Sequence, residues 1–222
     1  DDTYEPEDIY QTTNITVSAF NNPDFKEGSK WEVAGSYPLS WDFKGAYWKR
    51  TWTNWTSVDI VDAWVDYNNG ETLSGYSLSQ TSNLLPAGNY LVSFDWGAAV
   101  NNVQEEVMNG VEAWANDVRI DLTQLATTNQ TTTLSVCLSE NSRIDFGVEM
   151  SEQTNANWFY INNVKVEYIG SKEQYMNALS SMEASENAYI DYSFLISNSL
   201  GVETDLPNWE KNGGRGFSEN QG

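Results

Sequence analysis

The sequence predicts an antiparallel β-sandwich followed by one helix and a loop-rich tail. Three observations predict it. Apolar and polar residues alternate from about residue 12 to residue 169, clusters of Asn, Gly, Ser and Asp interrupt this alternation at short intervals, and the period becomes helical after Gly170. The 222 residues allow one large domain with an appendage, and 40% hydrophobic residues can form a sizeable core.

Each strand is predicted from its own alternation. The stretch 90–97 places Tyr90, Phe94 and Trp96 on one face, and the turn-forming sequence LLPAGN precedes it. Short strands bounded by turn residues are typical of two antiparallel sheets packed face to face, with Trp96 and Trp158 in the core. The same period predicts further strands at 58–67, 116–122, 131–139, 142–150 and 157–170.

A helix is predicted over 172–192. Ser171 and Gln174 stand in the relation of a capping box, in which each side chain accepts a hydrogen bond from the other residue's backbone N–H. The apolar residues that repeat near one helical face are Tyr175, Leu179, Met182 and Tyr189.

The change of period divides the chain into three parts. Residues 1–170 are predicted to form the sandwich, 171–192 the helical segment, and 193–222 a linker or the start of a further module. We therefore expect the chain to belong to a larger multidomain polypeptide.

Charge and composition exclude several classes of function. The 32 acidic residues outnumber the 11 basic ones, so the net charge of −21 disfavours nucleic acid and anionic membrane surfaces as partners. The sequence has no histidine, which removes His-based acid–base and nucleophilic catalysis. Cys137 is the only cysteine, and its alternating neighbours predict a small buried residue. No stretch is long and apolar enough for a transmembrane segment.

The decapeptide YWKRTWTNWT at 47–56 places three indoles among polar residues. On a strand, Trp48, Arg50, Trp52 and Asn54 share one face, whereas Trp55 points to the other. Because polar neighbours are typical of an exposed strand, Trp48 and Trp52 are the predicted surface pair. Trp55 is either a third ring at that surface or part of the core.

Four segments carry a resemblance to a known family. Together they resemble galactose-binding-like β-sandwich modules of secreted and surface glycan-utilisation proteins of Bacteroidetes. The resemblance covers about residues 15 to 170 and implies a jelly-roll sandwich, a non-catalytic carbohydrate-binding role, and an extracellular or outer-membrane-associated location. The segments are FNNPDFKEGSKWEV (20–33), LLPAGNYLVSFDWGA (84–98), GVEAWANDVRIDL (110–122) and NANWFYINNVKVEYIG (155–170).

Many modules of this family hold a structural calcium. The resemblance makes Asp24, Glu27 and Asn162 the candidate ligands. The sequence departs from the family pattern in two places: Lys26 directly follows the Phe of the entry motif, and Asn162 and Asn163 stand where an acidic residue is expected. Because calcium sites require several oxygens with net negative charge, these departures weaken the case for calcium.

Carbohydrate recognition requires flat aromatic rings for the apolar face of a sugar and polar side chains for its hydroxyl groups. Trp114 follows a loop that contains Glu105, Glu106 and Glu112, so it either faces a groove or packs on the second sheet. The candidate carbohydrate-binding residues are Trp48, Arg50, Trp52, Asn54, Trp55, Asp66 and Trp114.

Three functions are compatible with the sequence. The first is a non-catalytic module that binds a polysaccharide or glycan, and the second is a structural or adhesive spacer whose tryptophans all lie in the core. The third is a glycosidase, which requires two carboxylates at a defined separation. The 32 scattered acidic residues single out no such pair, so we expect no enzyme activity.

Overall fold

The computed structural model describes residues 11–26, 40–52, 59–103, 106–122 and 129–185. The chain divides into two compact units, Asp1–Met176 and Asn177–Gly222. A four-residue helix, α1 (Thr16–Ala19), and a 3₁₀ turn (Tyr67–Asn69) accompany the strands. The strands found in the described residues are β1 (Thr12–Asn14), β2 (Asp42–Lys44), β3 (Trp48–Trp52), β4 (Asp59–Trp64), β5 (Ser77–Thr81), β6 (Gly88–Val100), β7 (Val111–Ala115), β8 (Val118–Asp121), β9 (Gln130–Leu138), β10 (Asp145–Met150) and β11 (Ala156–Ile169).

The strands form two antiparallel sheets. The six-stranded sheet has the order β3-β4-β11-β6-β9, with β1 also paired to β11, and the five-stranded sheet has the order β2-β5-β10-β7-β8. Most neighbours in each sheet come from distant parts of the chain, and among the described strands only β3–β4 and β7–β8 are pairs of consecutive strands. This architecture confirms the predicted all-β jelly-roll sandwich.

Aromatic side chains fill the space between the two sheets. Phe94 of β6 and Phe146 of β10 are fully buried, and their ring centroids are 5.3 Å apart. Trp96 stacks on Phe159 with centroids 6.0 Å apart. Burying such a ring removes a large apolar area from water and stabilises the fold by about 2–3 kcal/mol. Trp96 and Trp158 are buried as predicted, at 2% and 8% exposed, but Trp158 lies on the other face of the six-stranded sheet, in a cluster with Ile60, Ala99 and Tyr160.

Two local predictions are corrected. The predicted strand at 116–122 is β8, the second strand of a hairpin whose first strand, β7, the alternation at 116–122 did not include. Asn116 has φ of 53° in the connecting turn, a left-handed conformation that asparagine tolerates better than most residues. Cys137, expected to be buried, is exposed, because Val136 and Leu138 occupy the inward positions of β9.

The helix after the sandwich begins as predicted. Helix α2 is described over 172–185, and the predicted residues 186–192 lie outside the described part, as do 193–222. The Ser171 hydroxyl accepts a hydrogen bond from Gln174 N at 3.1 Å, and Gln174 Oε1 accepts one from Ser171 N at 2.7 Å. The capping box is therefore confirmed. Among the described helices, none has both the length and the apolar character that crossing a membrane requires.

The stability of the sandwich is expected to fall at alkaline pH. Burial raises the pKa values of Tyr90, Tyr160 and Tyr175 above the ordinary tyrosine value of about 10. Above about pH 10 the unfolded chain releases these protons while the folded chain keeps them, so the free energy of unfolding decreases as pH rises. Urea unfolding at a series of alkaline pH values measures this slope. Tyr90→Phe should reduce it, and a flat profile would contradict the burial of these hydroxyls.

Candidate functional site

The outward face of the five-stranded sheet carries a half-buried tryptophan. On β7, Val111, Ala113 and Ala115 point into the core and are buried, whereas Glu112 and Trp114 alternate with them and point outward. The indole of Trp114 therefore lies on a strand face that solvent reaches. Of the two alternatives for Trp114, the structure favours an outward position over packing on the second sheet, and a role in ligand binding stays a prediction.

Gly147 determines how this indole lies on the sheet. It is the direct partner of Trp114 across the β10–β7 pair. A Cβ atom at Gly147 would collide with Cζ2 and Cη2 of Trp114 and would lie 2.8 Å from the Leu78 carbonyl oxygen. The absence of a side chain thus lets the indole extend over β10. The six-membered part of the ring rests against the backbone of the sheet.

An arginine and two glutamates adjoin the indole. Arg119, the partner of Trp114 on β8, places its guanidinium carbon 5.6 Å from the ring centroid. Its Nη1 donates hydrogen bonds to Oε1 of Glu112 and, at 3.1 Å, to Oε1 of Glu149. These hydrogen bonds raise the pKa of Arg119 above its usual value. The three side chains form a charged network that fixes polar atoms beside an aromatic surface.

A pocket lies next to this network. Five outward residues, one from each strand, form a row across the sheet, because each is the register partner of the next. The pocket follows this row and has a volume of about 410 Å³. Gly75, Gly110 and Glu152 also line it. The row consists of Lys44, Ser77, Glu149, Glu112 and Asp121.

The combination suits a sugar ring. The partly exposed indole offers a flat apolar surface to the C–H face of a sugar. The carboxylates accept hydrogen bonds from hydroxyl groups, and Lys44 and Ser77 can donate them. A pocket of this volume lies within the range of small-molecule sites in proteins.

The predicted surface position of Trp48 is wrong. Trp48 is 0% exposed and packs between the sheets, with ring centroids 5.9 Å from Phe43 and 6.2 Å from Tyr76. Its indole N–H donates to the Lys44 carbonyl oxygen at 3.0 Å. Arg50 shares this inward face and is 5% exposed. The two residues do lie on one strand face, as predicted, but that face points into the molecule.

The remaining predicted residues do not join the Trp114 surface within the described part of the chain. Trp52 ends β3, and its side chain lies outside the described residues, as do Asn54 and Trp55. Asp66 follows β4 of the other sheet and caps the 3₁₀ turn, where its Oδ1 accepts hydrogen bonds from the backbone and side chain of Asn68 at 3.0 and 2.9 Å. The carboxylate predicted to bind hydroxyl groups thus stabilises a turn.

The described residues bring no set of calcium ligands together. Asp24 forms an exposed ion pair of 2.7 Å with Lys26, so its carboxylate already has a cationic partner. Asn162 is 7% exposed on β11, and Glu27 lies outside the described residues. Across the described part of the chain, no three acidic or cysteine side chains are grouped to hold a metal.

A second exposed indole lies on the other sheet. Trp64 at the end of β4 is 44% exposed, and its indole N–H donates to Asn102 Oδ1 at 3.2 Å. The sequence did not single out this residue, because its neighbours in β4 are largely apolar. Its position on a different sheet makes it a matched comparison for Trp114.

Gly147→Ala is expected to damage both the fold and the aromatic surface. The new methyl group would force the Trp114 ring and the neighbouring β5 backbone apart, lowering the free energy of unfolding by about 1–3 kcal/mol. Denaturant unfolding measures this loss. Ser135→Ala, on the exposed face of β9, is the control and should cost less than about 0.5 kcal/mol. Equal stability of the two variants would contradict the position of the indole.

Comparisons with known proteins support the fold. No family model and no curated protein matches the chain. A Stig cyclase, Fisc, from Fischerella sp. TAU, solved in complex with (3Z)-3-(1-methyl-2-pyrrolidinylidene)-3H-indole, is similar, with 13% identity over 72% of this chain and 100% of that one and a TM-score of 0.50.

Two carbohydrate-binding modules are also similar. TmCBM61 in complex with β-1,4-galactotriose has 19% identity over 66% of this chain and 95% of that one, with a TM-score of 0.43. The module CBM6cm-2 from Cellvibrio mixtus lichenase 5A in complex with cellotriose has 16% identity over 68% of this chain and 97% of that one, with a TM-score of 0.37. At such identities the similarity concerns the fold alone.

Proposed function

We propose that this chain is a non-catalytic carbohydrate-binding domain. The observation that carries the proposal is the indole of Trp114, which extends over Gly147 on an open sheet face beside a pocket with fixed polar groups. A sugar ring stacks on the indole, and its hydroxyl groups reach the carboxylates of Glu112 and Glu149. Arg119 holds these carboxylates in place.

The expected affinity is modest. One aromatic stacking contact contributes about 0.5–1.5 kcal/mol beyond area burial, and each hydrogen bond to a charged group about 1.5–3 kcal/mol. Part of this free energy is offset by ordering the ligand and removing water from the polar groups. Dissociation constants of about 1 μM to 1 mM follow for a short oligosaccharide.

The carboxylate pair supports binding rather than glycoside hydrolysis. Glycosidases use one protonated carboxylic acid and one carboxylate on opposite sides of the scissile bond. Here Glu112 and Glu149 are register partners that hydrogen-bond to the same guanidinium nitrogen. Two carboxylates that share one guanidinium partner on the same sheet face support hydrogen bonding to hydroxyl groups rather than action from opposite sides of a glycosidic bond.

Binding to a panel of oligosaccharides tests the proposal. Calorimetry with neutral, cationic and anionic oligosaccharides should find at least one ligand. In a separate titration, that ligand should change the tryptophan fluorescence of the chain. The change should disappear in Trp114→Phe, since phenylalanine has little fluorescence in the tryptophan range. Absence of binding across the whole panel would overturn the proposal.

A spacer role within a larger surface protein is the second candidate. The observation that favours it is that Trp41, Trp48, Trp96 and Trp158 are all buried. If this candidate is correct, Trp114 contributes only to the sheet surface, and no glycan protects it from quenching by acrylamide. Either function fits an extracellular or cell-surface location, which stays part of the proposal.

A further inference from the structure

Strand β8 is an edge strand with exposed apolar residues. Within the described part of the chain it pairs with β7 alone, at the end of the five-stranded sheet. Val118 and Ile120 lie on the same face of this sheet as their register partners on β7, Ala115 and Ala113, which are buried in the core. Val118 and Ile120 are nevertheless 37% and 40% exposed. Exposed apolar residues on an edge strand favour pairing with a further strand.

The hydrogen bonds of the β7–β8 hairpin decide which backbone groups of β8 point to the free edge. Leu122 N donates to the Val111 carbonyl oxygen at 2.8 Å, and these two residues continue the register of the hairpin. In an antiparallel pair, every second residue turns its N–H and C=O toward the neighbouring strand. Ile120, two residues before Leu122, therefore faces β7. Arg119 and Asp121 turn their backbone groups to the free edge.

A second copy of the chain fits this edge around a two-fold axis at Ile120. Antiparallel pairing about that axis places Arg119 of each copy opposite Asp121 of the other, so each such pair exchanges both N–H···O bonds and brings opposite charges together. An axis at Arg119 would place two arginines opposite each other, and an axis at Asp121 two aspartates. An axis between two residues would align the apolar face of one copy with the polar face of the other.

Both charged side chains are able to make this contact. Among the described residues, Arg119 donates to Glu112 and Glu149 through Nη1, and its other N–H groups remain available to an acceptor. Asp121 forms no ion pair with a described lysine or arginine. Repulsion between two chains of net charge −21 is screened beyond about 8 Å at physiological salt. The contacts at the edge therefore decide whether two copies associate.

We propose that two copies of this chain associate through β8, which joins their five-stranded sheets into one continuous sheet. The inward faces of both copies lie on the same side of the joined sheet, so both Trp114 surfaces also face one way. The paired surface is small, so the dimer is weak and reversible. This association goes beyond the proposed function and does not depend on glycan binding.

Disulfide trapping tests the position of the axis. In a Cys137→Ser background, Ile120→Cys places two thiols directly opposite each other, within reach of a disulfide. Val118→Cys is the matched control, because it has the same strand, face and similar exposure, but its two copies lie about 14 Å apart. Oxidised glutathione should cross-link Ile120→Cys at least about fivefold more than Val118→Cys. Equal cross-linking of the two variants, or none in Ile120→Cys, would overturn the inference.

Charge variants test the contact between Arg119 and Asp121. Sedimentation equilibrium of the full chain at about 150 mM salt should show an average mass that rises above the monomer value with concentration. Asp121→Lys should weaken this association at least about tenfold. Glu140→Lys, at an exposed position beyond β9, should not weaken it. Both substitutions reduce the net negative charge equally, so only the local contact distinguishes them.

Three further results would also overturn the inference. They are a chain that stays monomeric up to about 1 mM, equal association of the two charge variants, and a dimer that Ile120→Cys does not trap. If the chain stays monomeric but binds an extended peptide of alternating valine and lysine at β8, the partner is a basic strand instead of a second copy. Failure of every oligosaccharide to bind would overturn the proposed function and leave the dimer intact.

Discussion

Trp114→Ala is expected to lower the affinity for any glycan that binds this face by at least about tenfold. The substitution removes the flat surface that a sugar ring covers, while the polar network of Arg119, Glu112 and Glu149 remains. Because Trp114 is only half-buried, the free energy of unfolding should fall by no more than about 2 kcal/mol. Calorimetry and denaturant unfolding of the same sample measure the two quantities.

Trp64→Ala is the matched control for this prediction. It also removes a partly exposed indole, but from the six-stranded sheet. We expect its glycan affinity to equal that of the unmodified chain. If Trp64→Ala loses affinity and Trp114→Ala does not, the binding surface lies on the other sheet.

Trp48→Ala is expected to lower the free energy of unfolding by about 3–5 kcal/mol. The substitution leaves a large cavity between the sheets and removes the hydrogen bond to the Lys44 carbonyl oxygen. Such a loss is a large part of the total stability of a domain of this size. Urea unfolding followed by circular dichroism measures it.

Trp48→Phe provides the comparison for the buried indole. It keeps an aromatic ring against Phe43 and Tyr76 but lacks the indole N–H. We therefore expect the free energy of unfolding to fall, but by less than in Trp48→Ala. Should Trp48→Ala cost less than about 1 kcal/mol and also abolish glycan binding, the indole would be a surface residue, contrary to the structure.

Local pattern was sufficient to predict the main elements. The alternation of Tyr90, Phe94 and Trp96 predicts β6, because a strand with one buried face has a period of two. The Ser171 and Gln174 pair predicts the start of α2, because both partners of a capping box lie within one turn. Both signals depend only on residues close together in sequence.

The error at Trp48 shows what such patterns leave open. Alternation determines that Trp48 and Arg50 share a face, but it does not determine whether that face points inward. Pairing with β4 decides the direction, since Trp48 lies opposite Ala63 and Arg50 opposite Val61, both of which are 0% exposed. The polar residues of the decapeptide had suggested the opposite.

The site itself depends on contacts between distant segments. Trp114 could be nominated from sequence, because it follows an acidic loop. Gly147 and Glu149 could not, since their role arises from the pairing of β10 with β7, more than 30 residues away in sequence. The residues of the pocket row are likewise joined only by the register of five strands.

The most direct test of carbohydrate binding at this face is to observe the indole N–H signals of the tryptophans by NMR while an oligosaccharide is added. Trp114→Phe and Trp64→Phe variants assign the two relevant signals. Carbohydrate binding at this face predicts that the Trp114 signal shifts as oligosaccharide is added, with the same dissociation constant as calorimetry gives, whereas the Trp64 signal stays in place. A bound oligosaccharide that shifts the Trp64 signal and leaves that of Trp114 unchanged would contradict it.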